Sequence, residues 1–301
     1  MSQIKVDIIS GYTSDLVQIK GSVAEGNYTI ASGQSAHAEG NSTTASGSSS
    51  HAEGLFTKAQ GNYTHAEGLY TTAIGEGSHA EGDSSTSSGI RSHAEGNSTI
   101  ASGAYSHSQN YNTKAIGTGS HAEGSYTTSV GNYSHAEGGY TTSSGAYSHT
   151  EGGQTIASGL TSHAEGSQTT AGGNYSHAEG YGTFAKGDYS HAEGYLTKAN
   201  GELSHTEGSQ TTANGQYSHA GGVSSLASGT ASFVHSTNST AFGNRSAVIG
   251  GQNITGSDSD TVYMPKIELA ETGEGVIMKS PNGTRYKLTI TDAGAVIASI
   301  V

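Results

Sequence analysis

Small residues recur at alternate positions along most of this chain, and glycine closes each alternating run. The unit is S/T-x-A-x-G followed by two further residues, as in Ser50-His51-Ala52-Glu53-Gly54 and then Thr57-Lys58-Ala59-Gln60-Gly61. Alternation over five residues bounded by glycine predicts a short strand and a corner. Two such strands per 14 residues predict one flattened coil. Coils stacked about 4.8 Å apart pair each strand with its copies above and below, which satisfies the backbone donors and acceptors.

Histidine marks the phase. It stands at 37, 51, 65, 79, 93, 107, 121, 135, 149, 163, 177, 191, 205 and 219, always 14 apart, and His235 alone lies outside the series. Glu follows two residues later in twelve of these fourteen units, with Gln109 and Gly221 as the exceptions. The frame continues past the histidines, upstream in Ser22-Val23-Ala24-Glu25-Gly26 and downstream with Phe233 and Ala247 in the His place. The array therefore covers about residues 22–250, roughly seventeen coils, or a rod of about 80 Å at the spacing of paired strands.

Alternation also assigns faces. Ser, Ala, Thr and Ala point inward, small enough for two closely packed strands, with their hydroxyls expected to bond along the ladder. Glycine is expected at the corners because it permits positive φ and close backbone passage. His and Glu point outward from the first half of each coil. The outward positions of the second half vary freely, as in Thr44, Lys58, Ile100 and Phe184.

Composition sharpens this picture. Of 301 residues 46 are Gly, Trp and Cys are absent, and there are only 4 Phe and 3 Met. No globular core of large side chains can be built from this. A thin Ala/Ser/Thr core stabilises little, at about 25 cal/mol per Å², against an ordering cost of about 1–2 kcal/mol per residue. Association with other chains is expected. The uniform outward row implies one repeated environment, which a three-fold axis supplies. The expected trimer contact is the ladder of His37, Glu39, His51, Glu53, His65, Glu67, His79, Glu81, His93, Glu95, His107, His121, Glu123, His135, Glu137, His149, Glu151, His163, Glu165, His177, Glu179, His191, Glu193, His205, Glu207 and His219, with imidazole and carboxylate of different chains pairing.

The net charge of −13 argues against nucleic acid as a partner, since phosphate binding wants clustered Lys and Arg. Residues 1–20 hold no apolar segment of the secretory type, and no stretch approaches a membrane span. Ser and His alternate to opposite faces of a strand, so no nucleophile meets a base and no enzyme activity is expected. The regular Thr row points inward, against an ice-binding surface, and no regular Asp supports a calcium-binding solenoid. The H-x-E rows contain metal ligands, but structural pairing is the favoured reading; no metal and no cofactor is expected. A ladder of histidines should make stability pH-dependent near neutrality, with a sign the sequence leaves open. Tyr105, Tyr133, Tyr147, Tyr175, Tyr189 and Tyr217 precede His by two residues and sit at corners. Each ring is expected to pack on the next coil's ring, and the rows are also a candidate ligand-binding surface for glycans.

The S-x-A-x-G frame at this period, with Ser246-Ala247-Val248-Ile249-Gly250 near its common form, resembles the head domain of trimeric autotransporter adhesins of the YadA-head type. The His-Ala-Glu-Gly variant is similar to repeats of phage tail fibres. The resemblance covers about three quarters of the chain. It implies an all-β, left-handed parallel β-roll solenoid of 14-residue coils, homotrimeric, serving as a receptor-binding fibre. The implied partners are itself, a host cell-surface receptor and other fibre or baseplate proteins, with no membrane insertion. The expected location is a virion tail fibre or an extracellular particle or cell surface. A bacterial surface-adhesin head and a passive spacer are the other readings. The tail-fibre reading is preferred because no heptad stalk and no membrane anchor are seen.

Three segments are expected: 1–21 as an N-terminal cap with a strand near Ile4 to Ile9, 22–256 as the roll, and 257–301 as a C-terminal β cap. In the last, Ser280-Pro281-Asn282-Gly283 between β-branched runs is a hairpin signal, and residues 295–301 suit a final strand.

Overall fold

A computed structural model describes residues 21–266, 276–290, 294 and 296–300. The strand expected near Ile4 to Ile9 lies outside the described residues. The chain divides into two compact units between Tyr263 and Met264.

The first unit is an all-β parallel solenoid of about seventeen coils of about 14 residues, without a helix among the described residues. Each coil contributes one strand that begins at the His position, here the His strand (for example His51–Leu55), and one short strand in its second half, here the Thr strand (for example Lys58–Ala59). His strands stack in register into one parallel sheet of eighteen strands and Thr strands into another of seventeen. Every repeat position meets its own copy: His51 faces His65, Ala52 faces Ala66 and Glu53 faces Glu67.

The inward faces are as the alternation predicts. Ala52, Thr57 and Ala59 are fully buried and Ser50 nearly so, coil after coil. The largest fully buried side chains are Val234 and Val248, so the core is only one small side chain deep from each sheet.

Two expectations are corrected. The inward hydroxyls mostly do not bond along the ladder. Serines instead close their own corner, donating to the carbonyl three residues back, as in Ser50 Oγ to Gly47 O at 2.7 Å and Ser134 Oγ to Gly131 O at 2.6 Å. Stacked hydroxyls are separated by about one strand spacing, beyond hydrogen-bond reach, whereas the corner carbonyl is near. One bond does run along the ladder, Thr99 Oγ1 to Ser85 Oγ at 2.8 Å.

The second correction concerns the corners. Each coil turns twice through a residue at positive φ that is usually not glycine, such as Tyr126 (57°) and Tyr133 (56°). The two repeat glycines answer different demands. Gly138 has φ of 99°, while Gly131 lies outside the left-handed region but would place a Cβ 1.9 Å from Gly145 O. Asparagines at the corners hold the neighbouring coil: Asn62, Asn132, Asn174 and Asn244 each accept, through Oδ1, a backbone N–H one coil earlier at 2.9–3.0 Å.

Near its C-terminal end the roll changes register. Phe233–Thr237 pairs with Ala247–Gln252 across an irregularity after His235, and the next pairing, Ala247 with Val262, spans 15 residues. Gly250 and Gly251, both at positive φ, absorb the extra residue.

The second unit is an antiparallel sheet of Val276–Lys279, Arg285–Ile290 and Val296–Ile300. The Ser280–Thr284 turn joins its first two strands, with Gly283 N donating to Ser280 O at 2.8 Å. The hairpin and the last strand form where the sequence places them.

Candidate interaction faces

The His strands build the most regular surface of the molecule. Because every coil has the same length, the imidazoles from His37 to His205 stack face to face, with centroids 4.7–4.9 Å apart and planes within 11° of parallel. Each ring is about one third exposed, and many Nε2 atoms are shielded from solvent without a hydrogen-bond partner among the described residues.

The glutamates run beside the rings. Glu81 lies between two imidazoles, 3.9 Å from His79 Nε2 and 3.6 Å from His93 Nε2. Pairing of imidazole with carboxylate, expected between chains, is thus partly met within one chain. Most of these distances are too long for hydrogen bonds. The contacts tighten toward the C-terminal end, to 3.1 Å for His205 with Glu193 and 3.3 Å for His219 with Glu207. Where Gln109 replaces Glu, its amide donates to Glu123 and continues the row. Glu53, Glu67, Glu81 and Glu95 border an open groove floored by Gly68, Gly82 and Gly96.

Charge on this face is costly. His51, His79, His107, His121, His135, His149 and His219 have pKa values held below the ordinary 6.5, first by burial; neighbouring imidazoles lower each of them further. Among the carboxylates, Glu137 is pushed up to about 7, first by a hydrogen bond shared with Glu123, which is itself lowered by that bond.

The corner tyrosines form interrupted rows. Tyr133 with Tyr147 and Tyr175 with Tyr189 stack at 5.4 and 5.0 Å. On the other corner Tyr126 stacks with Tyr140 and Tyr181 with Tyr195. Tyr105 receives Arg91 over its ring at 5.8 Å, and Tyr217 stands exposed. The left-handed backbone at these positions was not legible in sequence, since Tyr is not a residue that signals positive φ. Their occupation by Ser, Gln, Leu and Arg in other coils is the trace it leaves: a corner that tolerates any side chain is one whose side chain points away.

Among the described residues no Ser–His constellation arises. Ser50, Ser134 and their equivalents are buried, most of them bonded to corner carbonyls, on the opposite face of the strand from the imidazoles.

A family description of the YadA head domain repeat (2 copies) matches residues 21–56, 66–89, 80–106, 111–134 and 220–246. No curated protein matches the chain significantly. The first unit is a parallel β-solenoid. The matched stretches are YadA head domain repeats, and the stacked 14-residue coils are consistent with a YadA-head-type β-roll.

Proposed function

We propose that this chain is one protomer of a homotrimeric attachment fibre, a rigid head that carries a recognition surface to a cell. Three left-handed rolls lie side by side with their His–Glu faces on a common axis. The observation that carries the reading is the uniformity of that face over fourteen coils, beside a second-half face that varies from Thr to Lys to Phe. A solvated surface has no reason to repeat imidazole and carboxylate; an axial contact between identical chains has one. Two further features support association. The core buries only small side chains, and in the C-terminal unit Ile290, Val296 and Ile300 are each more than two thirds exposed. A sheet of three strands with its aliphatic residues open gains stability from a partner.

The recognition surface lies on the corners that face outward, where Tyr133, Tyr147, Tyr175 and Tyr189 offer stacked rings to a glycan or other receptor group. The carrier is a phage tail or phage-like contractile particle, in keeping with the His-Ala-Glu-Gly form of the repeat. A bacterial surface adhesin is the second reading, favoured by the YadA head match. Both place the molecule outside the cell.

Light scattering of the wild type and of a variant with His121, His135 and His149 changed to Ala tests the assembly. A trimer that weakens in the variant is expected, and a monomeric wild type would overturn it. Binding of the intact trimer to cells, lost on changing Tyr133 and Tyr147 to Ser, separates a receptor-binding head from a passive spacer.

A further inference from the structure

The periodic face is interrupted once in a way that builds a different site. Gly221 stands where other coils carry Glu or Gln, and one coil later His235 occupies the Glu place, in register with Gly221. His235 fills the space that the missing side chain leaves. A Cβ on Gly221 would lie 2.8 Å from His235 Nδ1 and 3.0 Å from Glu207 Oε1. His219 has also left the stack, its ring turned 74° from that of His205. These departures converge on one carboxylate: Glu207 Oε1 is 3.3 Å from His219 Nε2 and 3.5 Å from His235 Nδ1. The three donor atoms lie within 4.8 Å of one another.

We propose that Glu207, His219 and His235 bind a divalent transition-metal ion of the zinc class. Tetrahedral bonds of about 2.0–2.1 Å put neighbouring donors about 3.4 Å apart, close to the two distances found. Two imidazoles and one carboxylate suit zinc, nickel or cobalt rather than calcium or magnesium. Three ligands leave a fourth position for water or for a group from another molecule. The donors come from three successive coils, so a stiff backbone fixes their spacing. Phe233 packs beside the site, 4.9 Å from the His219 ring and 6.5 Å from that of His235, and gives it an apolar wall. His235 is about half exposed, which leaves a way in.

The regular ladder differs in kind. There a carboxylate such as Glu81 or Glu95 serves the imidazoles on both sides, and an ion in one position would take ligands from the next. The absent carboxylate at Gly221 ends that sharing. The sequence pattern pointed to no metal because the pattern is the periodic part, and this site exists where the period fails.

Zinc titration of the metal-free full chain by calorimetry tests the proposal, with His121→Ala as a control inside the regular ladder. One zinc per chain is expected for the wild type and for the control. His235→Ala and Gly221→Glu should each bind more than about tenfold more weakly. His235 is exposed, and the atoms nearest to a Cβ at the buried Gly221 are side-chain atoms of His235 and Glu207, which can move aside. Cobalt(II) should give the visible bands of a tetrahedral site in the wild type and lose them in both variants. Wild type that binds no zinc, His235→Ala that binds as the wild type does, or His121→Ala that loses zinc equally would each overturn the assignment.

Discussion

At the scale of single residues the roll is shaped by two stresses, crowding and left-handed backbone. Ala231 turns a corner at φ of 54° with its N–H donating to Gln216 O at 2.8 Å. A non-glycine residue there costs roughly 1–2 kcal/mol, partly offset by the entropy that glycine would lose. Ala231→Gly should therefore raise the melting temperature by an amount equivalent to up to about 1 kcal/mol; an unchanged or lower value would contradict the assigned conformation. Crowding is tested by a pair of glycines eight residues apart. Gly131→Ala would drive a methyl to within 1.9 Å of Gly145 O, a backbone atom that cannot step aside, while Gly139 has nothing within 4 Å of its missing Cβ. The first change should cost at least about 3 kcal/mol and the second almost nothing in urea unfolding. In sequence both look like corner glycines. The invariance of the position of Gly131 within the repeat, against the Asn, Leu, Asp, Tyr, Ser, Gly or Val found at the position of Gly139, was the legible sign. The reason was hidden, because positive φ and close backbone approach select the same residue.

At the scale of the element the imidazole stack makes stability a function of pH, and the structure supplies the sign. Adjacent rings 4.7–4.9 Å apart would repel by about 1 kcal/mol per charged pair even in a water-like medium. The seven lowered histidines take up protons near pH 6.5 when unfolded but only at lower pH when folded. Below the unfolded value the unfolded chain thus binds more protons, so stability is intact above about pH 6.5 and is lost as pH falls through the folded values. Glu137 acts the other way. Its pKa is raised from 4.5 to about 7, so its contribution is present at low pH and lost as pH rises through about 7. Seven groups outweigh one, and the melting temperature should fall between about pH 8 and about pH 5. A flat or rising profile would show that the rings are held charged, each balanced by its carboxylate. The existence of the ladder was legible from spacing alone. The lowered pKa of seven of its rings was not, since that depends on how far a half-buried stack is shielded from water.

At the scale of the whole molecule the roll is a one-dimensional array in which each coil touches its neighbours, and this permits a test of the His–Glu face without changing the chemistry of any residue. Removal of residues 163–176 takes out one full coil and joins Ser162 to His177. Every later residue keeps its face, so the shortened roll should fold and assemble as the wild type does. Removal of residues 163–169 takes out half a coil. Both halves share the S/T-x-A-x-G frame, so Ser, Thr and Ala still point inward, as they do for Thr169 and Ala171 or Ser176 and Ala178. But every His and Glu beyond the junction then moves to the opposite sheet. A monomeric solenoid has little reason to distinguish the two deletions beyond the mismatch at one junction. An assembly that uses the His–Glu face along its whole length tolerates the first and loses the second, because no single axis can then meet both halves of the ladder. Sedimentation of the two deletion proteins, with circular dichroism to establish that each retains its strands, separates these cases. A full-coil deletion that assembles beside a half-coil deletion that is folded but monomeric would locate the contact on the imidazole face. Equal assembly of both would move it to the corners or to the C-terminal sheet, whose exposed Ile290, Val296 and Ile300 would then be the surface holding the chains together.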